Sequence, residues 1–365
     1  MSKLLKEREK DFSRSIKNIE KEYFKKRSKY ANAEMIQKIV IILTSAVFFW
    51  VLITWYMAVV PVAVALLWWA CQGFTHALIG TCIMHDASHG SLSSKRWINQ
   101  MFAKTFDLVG GYSPIWHTSH VVRHHADTNI VGLDDDLASG KPFLRFSPYF
   151  AHSWVSKRQH YIVWFIYFLP TLFWVTVKDF IKFIQYKRDE VKGVQGSWKG
   201  LILQKVAYHA IFWIIPWYVS GAPWWLVLTG FLIMHFVAGI TLSVIFQPTH
   251  VNTDAMDFAT KNDAIKFGGR YVRQIVTTCN FAGEPDKNGH LSLRSRIVTW
   301  ISGGLDHQIE HHIFPGVCHV HYPHLAPKTR KVCKEFGVPY TNYGTLRGAL
   351  RAHNTYLKEL ALEES

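Results

Sequence analysis

The sequence predicts an all-α integral membrane protein, in which four transmembrane helices form two hairpins and a cytoplasmic helical cap holds a histidine-rich site for two metals. Three observations predict this fold. The chain of 365 residues is 49% hydrophobic and 15% aromatic, which is rich for a water-soluble protein. No Asp, Glu, Lys or Arg occurs between Lys38 and Asp86, or between Lys205 and Asp254. Three clusters drawn from 20 histidines lie beside the ends of these uncharged segments or just after them.

Each uncharged segment is about twice as long as the roughly 20 residues that cross a bilayer. Each also has a turn signal near its middle, "MAVVPVA" around Pro61 in the first and "SGAPWW" at 220–225 in the second. Each segment is therefore predicted to form a hairpin of two spans. Two buried hairpins of a soluble protein are the alternative, but such helices normally keep a polar stripe.

The positive charges predict the orientation. Residues 1–38 carry 12 Lys or Arg and residues 178–205 carry several more, whereas the hairpin tips carry none. By the positive-inside rule, both termini and the active site are expected on the cytoplasmic side of a bacterial inner membrane or an endoplasmic reticulum. A long charged segment precedes the first span, so no cleaved signal peptide is expected. The five cysteines show no C-x-x-C pair and predict neither a disulfide framework nor a zinc ribbon.

We divide the chain into a basic amphipathic N-terminal segment (1–38), a membrane domain (39–327) and a cytoplasmic C-terminal tail (328–365). In the first segment, apolar residues recur at helical spacing among many charges. These residues are Leu5, Phe12, Ile16, Ile19 and Tyr23. The segment is expected to lie on the membrane surface. A solvated charged face and a contact with an acidic redox partner are the alternatives.

A third uncharged stretch runs from Gln159 to Val177 and is interrupted by Pro170. If it crossed the membrane, the first two histidine clusters would face the opposite side from the third. We therefore predict a helix that lies in the interface.

The first two histidine clusters have helical spacing. In "HDASH", His85 and His89 are four residues apart and share one face of a helix that extends the second span. In "HVVRHH", His120 and His124 share a face, while His125 is turned by about 100° and can address a neighbouring metal.

The third cluster is "QIEHH", in which Gln308, His311 and His312 fall at i, i+3 and i+4. Seven histidines and an amide oxygen are too many for a tetrahedral zinc site and suit two metals. Imidazole-rich sites without thiolate favour iron used for oxygen chemistry, although ligand softness alone does not exclude zinc. His250, in "FQPTH" at the end of the fourth predicted span, is a further candidate ligand.

Nearby polar residues are predicted to support the ligands. Asp86, Glu310 and some of the residues 134–136 are expected to accept the free ring N–H groups of ligand histidines. Asn280 can reach a metal through water, or it can serve in a turn or cap. The histidines inside spans are predicted to pack or to line a channel. These are His76, His209 and His235. The remaining ones that we considered are predicted to be surface or structural, namely His117, His319, His321 and His324.

Taken in order, "HDASHG", "HVVRHHADTNIVGLDDD" and "QIEHHIFPG" resemble the three histidine boxes of the membrane fatty acid desaturases. The glutamine that opens the third box is similar to that of the front-end branch. The likeness runs from about Cys82 to Pro327, with "FQPTHV", "TTCNFAGEP" and "HYPHLAP" at the expected intervals.

The resemblance implies an oxygen-dependent fatty acyl desaturase that makes a cis double bond at a di-iron site with O2 as co-substrate. The implied ligands are His85, His89, His120, His124, His125, His250, His311 and His312, with Gln308 at the variable position and Asn280 near by. The expected substrate is acyl-CoA, an acyl carrier protein or an acyl-lipid in the bilayer, and no nucleic acid partner is expected. The segment before the first span is too short for a fused cytochrome domain, and no His-Pro-Gly-Gly motif is present. A separate electron donor, ferredoxin or a cytochrome b-type protein, is therefore expected.

Three alternatives stay open. A fatty acyl hydroxylase would share the same metal chemistry. A membrane zinc protease also has H-x-x-x-H with an acid after the first histidine, but its base is Glu and the other two boxes would be unexplained. A metal transporter would place its ligands at mid-membrane. The chain also departs from the family, which usually reads Asn-Tyr where this chain has Asp306 and His307.

Overall fold

The computed structural model describes residues 3–284 and 291–363. Within these two ranges the chain forms helices and no β-strand. Two isolated backbone bridges join Ile130 to Phe258 and Asn280 to Asn342. The prediction of an all-α fold is therefore confirmed.

In chain order, the helices and their continuous extensions are α1 (Lys3–Tyr23), α2 (Ala33–Val59), α3 (Val62–Ser88), α4 (Arg96–Ala103), α5 (113–124), α6 (Ser156–Ile166), α7 (Pro170–Arg188), α8 (198–220), α9 (Trp224–His250), α10 (Lys261–Phe267), α11 (Arg270–Val276), α12 (Leu293–Ser302), α13 (Gln308–Ile313), α14 (Tyr322–Phe336) and α15 (Leu346–Leu362). Short 3₁₀ turns lie at Lys104–Leu108, Leu137–Gly140, Leu305–His307 and His319–His321.

In the part of the chain that the structure describes, three helices are long and apolar enough to cross a membrane, namely α2, α3 and α9. They coincide with three of the four predicted spans. The remaining one, the third in chain order, falls on α8, which carries Lys199 and Lys205 and does not have that character. The bent pair of α6 and α7 would supply a fourth crossing if it acted as one broken span. The four-span topology therefore stays a prediction.

The stretch predicted to lie in the interface forms α6 and the first part of α7, and these two helices meet at an angle of 86°. Pro170 is the first residue of α7, a position where proline is tolerated because its missing N–H has no partner in the helix. A bend of this size turns the chain sharply. The placement of α6 and the first part of α7 in the membrane interface stays a prediction.

Helices α3 and α9 pack closely in the membrane domain. A Cβ atom on Gly73 would lie 2.2 Å from the carbonyl oxygen of Met234, and one on Gly230 would lie 2.1 Å from the Trp69 ring. Only glycine permits this approach of the two backbones. The packing brings the C-terminal ends of both helices, and therefore His85 and His250, to the same surface.

The apolar face of α1 packs against the protein. Phe12 and Ile16 are 2% and 0% exposed, and the Phe12 ring lies 5.4 Å from that of Phe336 in α14. The predicted placement of this face on the membrane surface is therefore wrong, because α14 offers an apolar surface that the sequence pattern of α1 alone cannot reveal. Leu5 lies outside the residues whose side chains are described.

The C-terminal helix α15 is tied to the membrane domain by polar contacts. His353 donates from Nδ1 to the Val251 carbonyl at 2.5 Å, and its Nε2 lies 2.6 Å from the Tyr167 hydroxyl. The guanidinium of Arg145 donates to the Leu360 carbonyl at 2.7 Å. The end of the chain is thus packed into the fold.

Candidate metal centre

Four helices deliver the predicted ligands to one buried place. Helix α3 runs through a π-helical stretch, Ile79–Met84, immediately before His85, and α5 is π-helical over His117–His124. Such widened turns are frequent at functional sites, because they redirect side chains without ending the helix. Helix α9 ends at His250, and α13 carries Gln308, His311 and His312.

The turn before α13 depends on two consecutive glycines. Gly303 and Gly304 adopt φ values of +63° and +73°, which lie in the left-handed region that favours glycine. A Cβ on Gly303 would also lie 2.3 Å from the Thr81 carbonyl oxygen of α3. These glycines therefore allow the third cluster to approach the helix that carries the first.

The structure brings all eight predicted histidine ligands together. Five groups in the described residues have potential ligand atoms within 4.8 Å of one another, and three of these groups contain only predicted histidines: His85, His89, His120 and His311; His124, His250 and His312; and His125, His311 and His312. His311 is shared by the first and third groups and His312 by the second and third, so these two residues connect the groups. The histidines thus form overlapping groups that could hold metal, and the number of metals stays a prediction.

The second cluster has the geometry predicted for it. The rings of His120 and His124 stack with centroids 5.1 Å apart and planes inclined by 21°. The His125 ring stands at 82° to that of His120 and stacks on His312 at 4.3 Å. His125 is therefore turned toward the third cluster.

Several ring nitrogens face one another. Nε2 of His85 lies 3.1 Å from Nε2 of His120, and Nε2 of His311 lies 3.0 Å from Nε2 of His125. His120 donates from its other nitrogen to Asp136 at 2.7 Å, so its Nε2 presents a lone pair. His85 Nε2 can donate a hydrogen bond to this lone pair, and a metal cation can take the same position when neither nitrogen carries a proton.

Buried atoms without partners mark the same space. Within the described residues, no hydrogen bond is made by His89 Nε2, His125 Nδ1, His312 Nε2 or Gln308 Oε1. Unsatisfied buried polar atoms are costly and require an explanation such as an ion that is bound there. The histidines and Gln308 therefore fit a metal centre. Gln308 also places its amide nitrogen 3.0 Å from His250 Nε2.

The protonation of the rings suits metal binding. Burial and neighbouring imidazoles hold the pKa values of His125, His311 and His312 well below 6.5. These rings are therefore neutral, which is the form that binds metals. His124 differs: burial lowers its pKa, but the Asp134 carboxylate outweighs this effect and raises it to about 9.

Two carboxylates of the second box orient ligand rings, as predicted for part of this triplet. Both oxygens of Asp134 lie 3.0 Å from His124 Nδ1, and Asp136 binds His120. These bonds fix the Nδ1–H tautomer and leave Nε2 for a metal. Asp135 instead accepts from Arg123 at 2.7 Å and from Tyr186 at 2.6 Å, which anchors the loop to α7.

Asp86 and Glu310 do not accept from ligand histidines, so this part of the prediction is wrong. Asp86 accepts from His319 at 2.9 Å and from the Cys318 thiol at 3.0 Å. Glu310 accepts from Asn280 at 2.8 Å and from Tyr340 at 2.9 Å. Each carboxylate follows a histidine box residue or precedes one, and the helix turns it away from the metal space.

Asn280 acts as a brace for α13. Besides binding Glu310, it accepts the backbone N–H of Ile309 at 2.8 Å. This favours the cap role over a contact with metal through water. His319, predicted to be surface or structural, is buried and links Asp86 to Lys38, whose Nζ lies 3.0 Å from His319 Nε2.

Sequence reasoning missed two partners of the ligands. Gln274 in α11 accepts from His312 Nδ1 at 2.6 Å, and its amide donates to the His125 carbonyl at 3.1 Å. The Tyr322 hydroxyl lies 3.2 Å from His311 Nδ1. Tyr322 belongs to the "HYPHLAP" motif, which could have signalled it, whereas nothing in "YVRQIV" distinguishes Gln274.

Asp306 and His307, where the chain departs from the family's usual Asn-Tyr, are directed away from the metal space. Asp306 accepts from Thr299 at 2.5 Å and from Ser302 at 3.1 Å, both in α12. Burial lowers the pKa of His307, but the adjacent Asp306 outweighs this effect and raises it. Asp306 and His307 thus interact with each other and with α12, and not with the predicted metal ligands.

Two predicted span histidines are packed. His76 lies 3.2 Å from the Gln72 amide, and His235 lies 3.1 Å from the Thr171 hydroxyl. His209 in α8 is only partly buried. None of the three belongs to the metal-binding groups of the described residues.

The family model for fatty acid desaturases matches residues 61–344, a range that contains all three histidine boxes. The chain belongs to the fatty acid desaturase family. It is an oxidoreductase of lipid metabolism, as the resemblance of the motifs predicts.

Curated relatives agree with this assignment. The chain is 32% identical over 295 residues to an sn-1 linoleoyl-lipid 6-desaturase of Arthrospira platensis, covering 80% of this desaturase and 76% of the relative. It is 33% identical over 297 residues to an acyl-lipid (8-3)-desaturase of Physcomitrium patens, covering 80% of this chain and 60% of the relative. It is 31% identical to an sn-1 linoleoyl-lipid 6-desaturase of Synechocystis sp., covering 76% and 75%. The chain thus spans about three quarters of the two cyanobacterial relatives and less of the moss one.

Proposed function

We propose that this desaturase introduces a cis double bond into the acyl chain of a membrane lipid, at a centre of two iron ions. The observation that carries the proposal is the convergence of eight histidines and Gln308 on one buried space, where several of their polar atoms have no partner in the described residues. Imidazole-rich sites without thiolate suit iron used for oxygen chemistry.

Iron would supply one chemistry when bound: with O2, two electrons and two protons, one hydrogen is removed from each of two neighbouring methylenes and two waters are formed. We assign His85, His89, His120 and His311 to one iron, and His124, His250, His312 and Gln308 to the other. His125 stands between them. The chain's own part is to hold the rings by their Nδ1–H groups, through Asp134, Asp136 and Gln274.

Positioning of the acyl chain is the other task of the protein, because an unreactive methylene is chosen by where it lies. An apolar groove of about 540 Å³ runs between α2 and α3. Phe74, Leu78 and Trp300 line it, and Leu78 directly precedes the π-helical stretch that leads to His85. We assign part of the acyl chain to this groove. Two relatives are named as desaturases of linoleoyl-lipid and acyl-lipid. These names support a lipid substrate over acyl-CoA or an acyl carrier protein.

We further propose that the metal centre and both termini lie on the cytoplasmic side, beneath the cap formed by α1 and α10 to α15. The basic segment 1–38 supports this orientation. Electrons would come from a separate carrier, ferredoxin or a cytochrome b-type protein, and the net charge of +15 favours an acidic one.

The experiment is to express the desaturase in cells with iron and an electron donor, and to compare their fatty acids with those of cells that express His312→Ala. His324→Ala serves as the matched control, since His324 is exposed and belongs to no metal-binding group of the described residues. We expect a new cis-unsaturated acid with the intact chain and with His324→Ala, and none with His312→Ala.

Two other outcomes would change the assignment. A hydroxy acid in place of the unsaturated one would favour the hydroxylase. Equal activity of the His312→Ala variant would contradict the metal centre. Iron analysis of the purified proteins adds an independent readout, because His312→Ala is expected to hold less iron than His324→Ala.

A further inference from the structure

A basic pocket lies where the chain enters α6, far in sequence from every histidine box. Its lining residues are His152, Ser153, Trp154, Lys157, Arg158 and Ile162. The cavity measures about 650 Å³ and opens to the surface. Nothing in the proposed reaction uses it, and no predicted ligand lines it.

The residues around the pocket have the character of a membrane interface. Trp154 is 85% exposed, Tyr161 is 69% exposed and Phe165 is 76% exposed. Three large aromatic side chains exposed within one short stretch of the chain would be costly on a water-facing surface. Aromatic residues with this exposure are typical of the headgroup level of a bilayer, where one end of the ring is apolar and the other is wet.

The pocket offers positive charge without an internal partner. Lys157 and Arg158 are both exposed, and neither forms an ion pair within the described residues. Long basic side chains of this kind keep their stems along apolar surface and their heads at the headgroup level. The guanidinium of an arginine also matches the oxygens of a phosphate in a bidentate manner.

His152 provides a second and independent observation. Both of its ring nitrogens are shielded from solvent, and neither makes a hydrogen bond within the described residues. The side chain is only half-buried, but a shielded ring nitrogen without a partner is costly unless a ligand supplies one. Its position in the lining, beside Ser153 and the two basic residues, points to a ligand rich in acceptor oxygens.

We propose that this pocket binds the anionic phosphate headgroup of a bilayer phospholipid. Lys157 and Arg158 neutralise the phosphate, His152 donates to one of its oxygens, and Trp154 and Tyr161 lie among the neighbouring headgroups. Binding holds α6 along the membrane surface, on the near side of the 86° bend into α7. The inference does not depend on the proposed reaction.

The test uses the full-length protein in detergent, with lipid binding measured by native mass spectrometry. Three ligands are compared at equal concentration: dioleoyl-phosphatidylglycerol, dioleoyl-phosphatidylcholine and inorganic phosphate. The pocket variants are Lys157→Gln with Arg158→Gln, and separately His152→Phe. The matched control is Lys10→Gln with Lys17→Gln, which removes the same charge from exposed positions of α1.

We expect the native protein to bind one phosphatidylglycerol more tightly than phosphatidylcholine. The double pocket variant should lose about tenfold or more in affinity, since each basic residue contributes about 1 kcal/mol toward an anionic lipid, and the control should not. His152→Phe should weaken binding without any change in net charge. Equal loss in the control, or no loss in either pocket variant, would overturn the proposal. Displacement of the lipid by inorganic phosphate at the same concentration would overturn it in favour of a free anion.

Discussion

The side-chain oxygen of Gln274 lies 2.6 Å from Nδ1 of His312, and this pair connects a helix that carries no box residue to the third histidine box. Gln274 also donates to the His125 carbonyl and accepts from the Thr128 hydroxyl. One buried amide therefore holds parts of two boxes in register. The acceptor is neutral, in contrast to the carboxylates that hold His120 and His124.

Gln274→Leu should weaken metal binding, because His312 loses the partner that fixes its tautomer. Loss of such partners typically costs 10–100-fold in metal affinity. The measurement is iron retained by the purified protein against a graded chelator. Gln100→Leu, an exposed position in α4, is the control and should retain iron as the native protein does. Equal retention by both variants would show that Gln274 does not orient His312.

Asp134→Asn should have a larger effect than the same change at Asp127. The Asp134 carboxylate accepts from His124. It also accepts from the backbone N–H groups of Asn129 and Asp136, both at 2.8 Å. The asparagine side chain has an NH2 group in place of one carboxylate oxygen, and this donor would face one of the three N–H donors. We expect iron affinity to fall by about 10–100-fold. Within the described residues, the Asp127 carboxylate pairs with the exposed Lys261 alone, so Asp127→Asn should change iron affinity little. Similar iron content in the two variants would contradict the assigned role.

Phe12→Ala should lower the melting temperature, since Phe12 is 2% exposed in the cluster between α1 and α14. Truncation of a buried phenylalanine costs about 3–5 kcal/mol. Phe143→Ala is the control, because Phe143 is 54% exposed. The test is thermal unfolding in detergent. An unchanged melting temperature for Phe12→Ala would mean that α1 does not pack on the cap in solution.

Gly303→Ala should be more damaging than Gly221→Ala, although the two glycines have similar φ values of +63° and +66°. The left-handed conformation costs an L-residue about 1–2 kcal/mol at either site. Only at Gly303 does the added Cβ also meet the Thr81 carbonyl. We expect Gly303→Ala to lose both stability and iron, and Gly221→Ala to lose only a little stability. A comparison of melting temperature and iron content tests this, and equal losses would contradict the close approach of the third box to α3.

Asp257 should make stability depend on pH. Burial raises its pKa to about 7, although the Tyr356 hydroxyl donates to it at 3.0 Å. The folded state therefore holds this proton more tightly than the unfolded state, whose pKa is near 3.8. Stability contributed by the protonated group is full below pH 4 and is lost as the pH rises to 7, at about 1.4 kcal/mol per pKa unit.

Asp257→Asn should remove this dependence. We expect the variant to melt above the native protein at pH 8 and close to it at pH 5, in detergent of constant composition. Asp263→Asn at an exposed position of α10 is the control and should show no such crossover. A native protein whose melting temperature did not fall between pH 5 and pH 8 relative to Asp257→Asn would contradict the raised pKa.

Several features could be predicted because they depend on local spacing. The uncharged segments before and after Pro61 became α2 and α3, since long apolar segments have few alternatives. His85, His120, His124, His311 and His312 lie where helical periodicity places them, and His250 lies at the end of a span. The third predicted span was harder, because it falls on α8, which also carries Lys205. This lysine is buried by its ion pair with Asp179 at 2.6 Å, and a sequence does not show that a charge has such a partner.

Other features depend on which surfaces meet. The apolar face of α1 carries the same pattern whether it covers a membrane or α14. Asp86, Asp134 and Glu310 are all acids near histidine boxes, yet only Asp134 binds a ligand ring. The direction of a side chain over a few ångströms is fixed by the helix that bears it and by the neighbours that pack on it.

The sequence by itself determined the family, the membrane helices and the histidines that gather at one centre. Residue type and helical spacing can be seen in the sequence before any helix has packed. Tertiary structure alone decided the partners of those histidines: Gln274 at His312, Tyr322 at His311 and Asp136 at His120. It also decided that His152 lines a basic pocket. The physical reason is that hydrogen bonds and burial join residues distant in the chain, and their geometry exists only once the helices have packed.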